Sequence, residues 1–201
     1  MQIQKFTLGD LRSNCYVVFN ETNAFIIDPG YENDIVSKFI ENHGLDVDFI
    51  YLTHGHYDHV GGVKQLKDMY QCRVYAPKKD IFWTKDYALN KLGYEIPVDQ
   101  YIEEPYAIFW QDLDLQVFET PGHSEGGTIL FIPEIDVLFS GDTLFYHTVG
   151  RTDIPYANSE VLVESIKKIY KLIPDQTRVY PGHGRATTII EEKKNNPFVR
   201  D

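Results

Sequence analysis

Residues 48–62, Asp48-Phe49-Ile50-Tyr51-Leu52-Thr53-His54-Gly55-His56-Tyr57-Asp58-His59-Val60-Gly61-Gly62, run an apolar segment straight into a group of histidines and an acid. DFIYLT (48–53) reads as a short strand buried on both faces, because its apolar residues are continuous rather than alternating. His54, His56, Asp58 and His59 follow at once, and Gly61-Gly62 ends the group. Upstream, residues 2–8, 14–19 and 24–28 are β-rich runs, the latter two joined by the turn Glu21-Thr22-Asn23. Asp28-Pro29-Gly30 stops the third. Ile35, Val36, Phe39 and Ile40 then recur at helical spacing over 32–43, with Gly44 as the stop.

Downstream, the pattern predicts a helix over 62–70, the strand CRVYA (72–76) and a helix over 78–91, with residues 93–105 irregular. AIFW, LQVFET, GTILFI and DVLFSG (107–141) form a run of short strands. Residues 158–172 give a helix capped by Asn158 or Ser159, with Val161, Leu162, Ile166 and Ile169 as its apolar stripe. TRVYPGHG is a last strand and loop, and a short helix near 187–194 precedes Asn195-Asn196-Pro197-Phe198. Strands with interspersed helices in both halves suggest two sheets with helices outside them, although other α/β layouts share this periodicity.

The chain has 201 residues, with 43% apolar and 14% aromatic residues, which predicts one folded domain with a real core. Its formal net charge of −11 argues against a nucleic-acid partner, which would need a Lys/Arg footprint. Two bound divalent ions would shift that charge by about +4. Cys15 and Cys72, in strand-like surroundings, read as small buried apolar side chains in a reducing compartment. MQIQKFTLGDLRS lacks a basic stretch followed by an apolar one, and no segment approaches ~18 uninterrupted apolar residues. A cytoplasmic protein without a membrane partner is expected.

Three more candidates stand at the ends of later strands: His123 in TPGHSEGG, Asp142 in FSGDT and His183 in YPGHG. Glycine or proline beside each lets the backbone turn sharply, so that the side chains can share a cavity at the strand ends. Neutral imidazoles and carboxylates suit divalent metals, and a catalytic site keeps one position for water. Three His plus one Asp, and two His plus two Asp, suffice for two ions if one carboxylate bridges them. Two ions roughly 3.5–4 Å apart can hold a hydroxide and polarise a carbonyl or phosphoryl oxygen together.

THGHYDHVGG, TPGHSEGGTILF, LFSGDTLF and VYPGHG resemble the sequential motifs of the metallo-β-lactamase superfamily, and best those of its glyoxalase II (hydroxyacylglutathione hydrolase) branch. The resemblance runs from the N-terminal strands to NNPF. It implies an α/β fold, a four-layer αββα sandwich forming a single domain over 1–201, with two metal ions at one edge of the sheets. Carried over by motif, His54, His56 and His123 hold the first ion, Asp58, His59 and His183 the second, and Asp142 bridges them. Zinc is the first expectation, with iron or manganese as alternatives.

The branch is narrowed by departures from its relatives. Zinc β-lactamases typically place a Cys in the second site, and neither cysteine here lies in a ligand motif. Flavodiiron proteins usually carry Glu where this chain has His56, together with a flavin domain. Nuclease branches add an RNA-binding arm and favour a basic surface. Full-length glyoxalase II enzymes add a C-terminal helical domain that contacts glutathione, whereas this sequence ends 18 residues after His183. The chain resembles the short glyoxalase II-like group, in which GDTLF is followed by a GRTD element, here Gly150–Asp153.

The resemblance implies hydrolysis of a small-molecule thioester, attacked by a metal-bridging hydroxide that Asp58 helps to orient. Arg151 can pair with a substrate carboxylate or with Asp153. Tyr146 and His147 can line the pocket, with His147 a solvent-facing loop residue rather than a ligand. His43 reads as a cation at a helix C-terminus. Phe82, Trp83, Tyr87 and Tyr94 are either an acyl-group wall or packing, Tyr57 is loop packing, and Ser124 lacks the base a nucleophile needs. The rival readings are a persulfide dioxygenase using one iron on His54, His123 and Asp142, an acyl-homoserine lactone lactonase, and a metal-binding protein without activity.

Overall fold

The computed structural model describes residues 1–199, which form two compact units, Met1–Ile102 and a second beginning at Glu103.

The first unit runs β1 (Gln2–Leu8), β2 (Ser13–Phe19), β3 (Asn23–Ile27), α1 (Asp34–His43), β4 (Asp46–Tyr51), α2 (Tyr57–Val60), α3 (Val63–Tyr70), β5 (Arg73–Pro77), α4 (Ile81–Lys85), α5 (Tyr87–Asn90) and β6 (Gln100–Ile102). Its six strands pair in chain order. The two N-terminal pairings are antiparallel, and β3 to β6 are parallel. Every residue of β2 is buried, which explains its unbroken apolar Cys15-Tyr16-Val17-Val18-Phe19. Val36 and Ile40 of α1 and Leu66 of α3 share a core cluster with Val17, Ile26, Ile50 and Val74. The apolar spacing overstates α1 at one position, because Ile35 faces solvent.

The predicted helix over 78–91 is broken. A 3₁₀ turn at Lys78–Asp80 leads into α4, and α5 starts afresh at Asp86. The Asp86 carboxylate accepts hydrogen bonds from the backbone N–H groups of Ala88 and Leu89, so it caps a new helix instead of continuing the old one. The segment 93–105, read as irregular, supplies β6, which is only three residues long and too short to show a period.

The second unit runs β7 (Tyr106–Trp110), β8 (Leu113–Glu119), β9 (Thr128–Ile132), β10 (Val137–Gly141), β11 (Leu144–Phe145), β12 (Thr148–Val149), α6 (Ser159–Leu172), β13 (Arg178–Pro181), β14 (Thr187–Thr188) and α7 (Ile189–Asn195). Its six-stranded sheet has the order β14-β13-β10-β9-β8-β7, with β10 and β13 parallel and the other pairs antiparallel. Asn158 caps α6, its side chain accepting from the backbone N–H groups of Glu160 and Val161. Leu162, Ile166 and Ile169 pack with Ile129, Leu138, Val179 and Ile189. Val161, expected on that stripe, is 40% exposed. The hairpin β11–β12 and the pairing of β14 with β13 escaped the sequence pattern, because two-residue strands have no measurable alternation.

No helix among the described residues is long and apolar enough to cross a membrane.

Candidate metal centre

In the first unit, the donors leave the C-terminal ends of parallel strands. The backbone N–H of Asp28, just after β3, donates to the carbonyl of Tyr51 at the end of β4 (3.1 Å). The Asp28 carboxylate in turn accepts from the backbone N–H of Thr53 (2.8 Å) and from its hydroxyl (2.6 Å). This ties the strand end to the ligand loop. Because the Thr53 hydroxyl proton goes to Asp28, Thr53 Oγ1 accepts from His54 Nδ1 at 3.0 Å. His59 Nδ1 also donates to Asp28, at 2.9 Å. His54 and His59 therefore carry their protons on Nδ1 and present Nε2 lone pairs, the tautomer a metal ligand needs.

His54, His56, Asp58 and His59 are all buried. The His54 ring centroid lies 4.8 Å from that of His56 and 4.2 Å from that of His59. His59 Nε2 stands 3.6 Å from Asp58 Oδ2. The loop is held from behind, where the backbone N–H of Gly55 donates to the buried Asp80 carboxylate (2.9 Å) and the His56 ring meets Trp83 edge-on at 4.6 Å. Trp83 is thus packing for a ligand, Tyr87 faces solvent, and the Tyr94 hydroxyl donates to the carbonyl of Gly61. Burial raises the pKa of the Tyr57 hydroxyl, with the Asp58 charge adding to the effect.

In the second unit, His123, Asp142 and His183 follow β8, β10 and β13, three strands running in one direction, so all three leave the same edge of the sheet. Gly141 pairs with Pro181, and the backbone N–H of Gly182 donates to the carbonyl of Gly141 at 2.8 Å, which aligns the last two donors. His123 Nδ1 donates to the carbonyl of Arg151 (2.8 Å) and so also presents Nε2. His123 Nε2 and His183 Nε2 each lie 3.4 Å from the same atom, Asp142 Oδ2.

These donors fit divalent ions. A tetrahedral ion with ligands at 2.0–2.1 Å separates neighbouring ligand atoms by roughly 3.3–3.4 Å. Both spacings at Asp142 match that edge length and exceed a normal hydrogen bond. Asp28, His54 and His59 also form a group able to hold a metal ion. Asp28 has three partners in Thr53 and His59, so it serves as the carboxylate that orients the histidines.

Arg151 takes up the second of its two expected roles, the pair with Asp153. Its guanidinium is exposed and makes two contacts with Asp153, at 2.8 and 3.0 Å, leaving the backbone carbonyl as its contribution to the donor set. His147 corrects an expectation. It is half-buried in the turn between β11 and β12, where Glu191 and Glu192 bind it, instead of facing solvent freely. His43 ends α1 and donates from Nδ1 to the carbonyl of Phe39 at 2.8 Å, as expected of a C-terminal residue. Burial raises the pKa of both cysteine thiols, that of Cys72 to about 11, and neither thiol joins a donor group.

Asp28 and Asp80 were missed in the sequence. The signal for Asp28 was present, since it is an acid at a strand end next to a Pro-Gly pair, which follows Asp28 and precedes His123 and His183.

The model of the metallo-beta-lactamase superfamily matches residues 8–183. "Probable metallo-hydrolase YqgX" of Bacillus subtilis is 32% identical, covering 99% of this chain and 98% of that protein. "Hydroxyacylglutathione hydrolase GloC" of Haemophilus influenzae is 33% identical, covering 99% and 98%. Among solved structures, the BLEG-1 B3 metallo-beta-lactamase superposes with a TM-score of 0.92 at 34% identity over the whole of both chains. TTHA1623, solved in a di-iron-bound form, gives 0.85 at 38% identity over 98% of this chain and 100% of that one.

Proposed function

The chain belongs to the metallo-beta-lactamase superfamily, and on that premise we propose that it is a binuclear metal-dependent hydrolase of small-molecule thioesters of the hydroxyacylglutathione type. The observation that carries the reading is the equal 3.4 Å spacing of His123 Nε2 and His183 Nε2 about one oxygen of Asp142. A carboxylate oxygen set equally between two imidazoles is placed to serve with both. In this reading, His54, His56 and His123 would hold one ion and Asp58, His59 and His183 the other, with Asp142 common to both sets. The di-iron form of TTHA1623 and the activity named for GloC support it.

Ions so held supply Lewis-acid polarisation of a carbonyl oxygen and lower the pKa of a bound water. The protein's own residues set the stage for both. Asp28, through the Nδ1 proton of His59, and Thr53, through that of His54, keep the ligand nitrogens aimed and basic. The Arg151 carbonyl does the same for His123. The Asp58 carboxylate, besides its place in the donor set, would orient the bound hydroxide. A thiolate leaves without a dedicated proton donor, so the chain needs no general acid. The net charge of −11 favours small-molecule substrates over nucleic acid.

The test is hydrolysis of S-D-lactoylglutathione by protein reconstituted separately with zinc, iron and manganese, followed by loss of thioester absorbance. Turnover that disappears in His56→Ala is expected. Absence of turnover with every metal would sink the thioesterase reading. Oxygen uptake with glutathione persulfide, opening of acyl-homoserine lactones and cleavage of a β-lactam then separate the remaining activities.

A further inference from the structure

Arg185 lies over the ring of Tyr146, its guanidinium carbon 3.4 Å from the ring centroid. The Tyr146 ring is stacked on His147 at 3.9 Å with the planes 21° apart. His147 Nε2 lies 2.7 Å from Glu191 Oε1, and its backbone N–H donates to Glu192 at 2.9 Å. Glu192 is fully buried and also accepts from Thr187 and Asn196, so α7 anchors the base of the stack. The result is a three-layer stack of His147, Tyr146 and Arg185 tied to α7.

Stacking on an aromatic ring occupies one face of a guanidinium and leaves its in-plane N–H edge open, the edge that grips a carboxylate at two points. Among the described residues, no carboxylate forms an ion pair with the Arg185 side chain; its charge is felt by Glu191, the weakest of the influences that lower the pKa of that carboxyl. Arg151, by contrast, is already paired with Asp153 through two contacts. Arg185 is two residues past His183, across Gly184, whose φ of 77° is open to glycine and swings the chain around. Tyr146 is four residues past Asp142, and its neighbour Phe145 meets the His183 ring edge-on at 6.0 Å. Arg185 and the ring it covers therefore belong to the two loops that carry His183 and Asp142, and Phe145 next to Tyr146 touches the His183 ring.

We propose that Arg185, held over the Tyr146 ring, is the specificity-determining residue that binds a carboxylate of the substrate. The proposal rests on the thioesterase reading and deepens it by naming the residue that recognises a carboxylate of such a thioester. A preorganised, charge-assisted, two-point contact beside the reacting group discriminates against esterified or amidated analogues.

The probes are S-hexylglutathione, a thioether that cannot be hydrolysed, and its diethyl ester, with binding measured by calorimetry on metal-loaded protein. The wild type should prefer the free acid by at least about tenfold. That preference should collapse towards unity in Arg185→Ala and in Tyr146→Leu, and recover only partly in Arg185→Lys, whose ammonium lacks the planar edge. The ratio between the two probes is the readout, because a merely structural role would weaken both alike and leave it unmoved. An unchanged ratio in Arg185→Ala, or a wild type without preference, overturns the proposal. Turnover of S-D-lactoylglutathione is scored separately. A wild type that turns over but shows no preference leaves the thioesterase reading standing, whereas preference without turnover removes that reading alone.

Discussion

His59 Nδ1 donates to Asp28 Oδ2 at 2.9 Å, and neither side chain is more than 2% exposed. The carboxylate fixes the proton of the imidazole and leaves Nε2, 3.6 Å from Asp58, as its only lone pair. Asp28→Asn tests this with little backbone strain, since asparagine tolerates the φ of 49° found there. The amide cannot accept from Thr53 and His59 as the carboxylate does. Metal affinity should fall about 10–100-fold, read by competition with a chromophoric chelator, while the circular dichroism spectrum is kept. Equal affinity in the variant would remove Asp28 from the metal centre.

Asp142→Ala separates one-ion from two-ion chemistry. With the shared carboxylate gone, the two imidazoles at 3.4 Å lose the group that couples them. Metal content measured after gel filtration should drop from two ions per chain to one or none, and thioester hydrolysis should fall by at least about 100-fold, a loss of roughly 2.7 kcal/mol in transition-state stabilisation. A variant that retains two ions would show that Asp142 does not bridge them.

The histidines of residues 54–59 were legible because four donor side chains follow one buried strand directly, and Asn158 because its cap precedes a clear helical period. His123, Asp142 and His183 were legible one at a time, as turn residues at strand ends. Their common edge was not, because it depends on β8, β10 and β13 running in the same direction. Asp28 is 31 positions from His59, and Arg185 is 39 from Tyr146, so neither contact leaves a local pattern. The break at Asp86 was hidden for a different reason. A capping aspartate inside a mostly apolar and basic run looks like one polar residue on a helix face until its backbone partners are seen.

Asn158 gives the most direct stability prediction. Its side chain takes two backbone N–H groups of α6, at 3.0 and 3.1 Å, which would otherwise be left to solvent. Asn158→Ala should cost about 1 kcal/mol. For a chain of this size that corresponds to a fall of about 2–4 °C in melting temperature, provided unfolding is two-state. A calorimetric scan without a shift would mean that the first turn is held by other contacts.

Glu191 supplies a pH prediction. The hydrogen bond from His147, and secondarily that from Asn195, holds its carboxyl below the ordinary glutamate range. A lowered folded-state pKa stabilises the native state fully above the unfolded value, about 4.3, and that stabilisation disappears as pH falls through the lowered value. In urea titrations, wild type should exceed Glu191→Gln near neutrality, and the gap should close between about pH 5 and pH 3. High salt should narrow it too, because the pair is half-exposed. A gap independent of pH would show that shape, not charge, carries the contact.

Gly150 tests how closely the metal centre depends on backbone packing. A Cβ at this position would fall 1.8 Å from the carbonyl oxygen of Asp142 and 3.2 Å from Cβ of His123. The backbone N–H of Gly150 also donates to the carbonyl of Thr143 at 3.3 Å, so the chain cannot retreat without losing that bond. An alanine methyl must displace the peptide that carries Asp142, and with it the oxygen shared by His123 and His183. Gly150→Ala should therefore lose metal before it loses fold, giving protein with near-native circular dichroism but substoichiometric metal by elemental analysis. Full metal content in a folded variant would show that the Asp142 peptide can shift without disturbing its carboxylate.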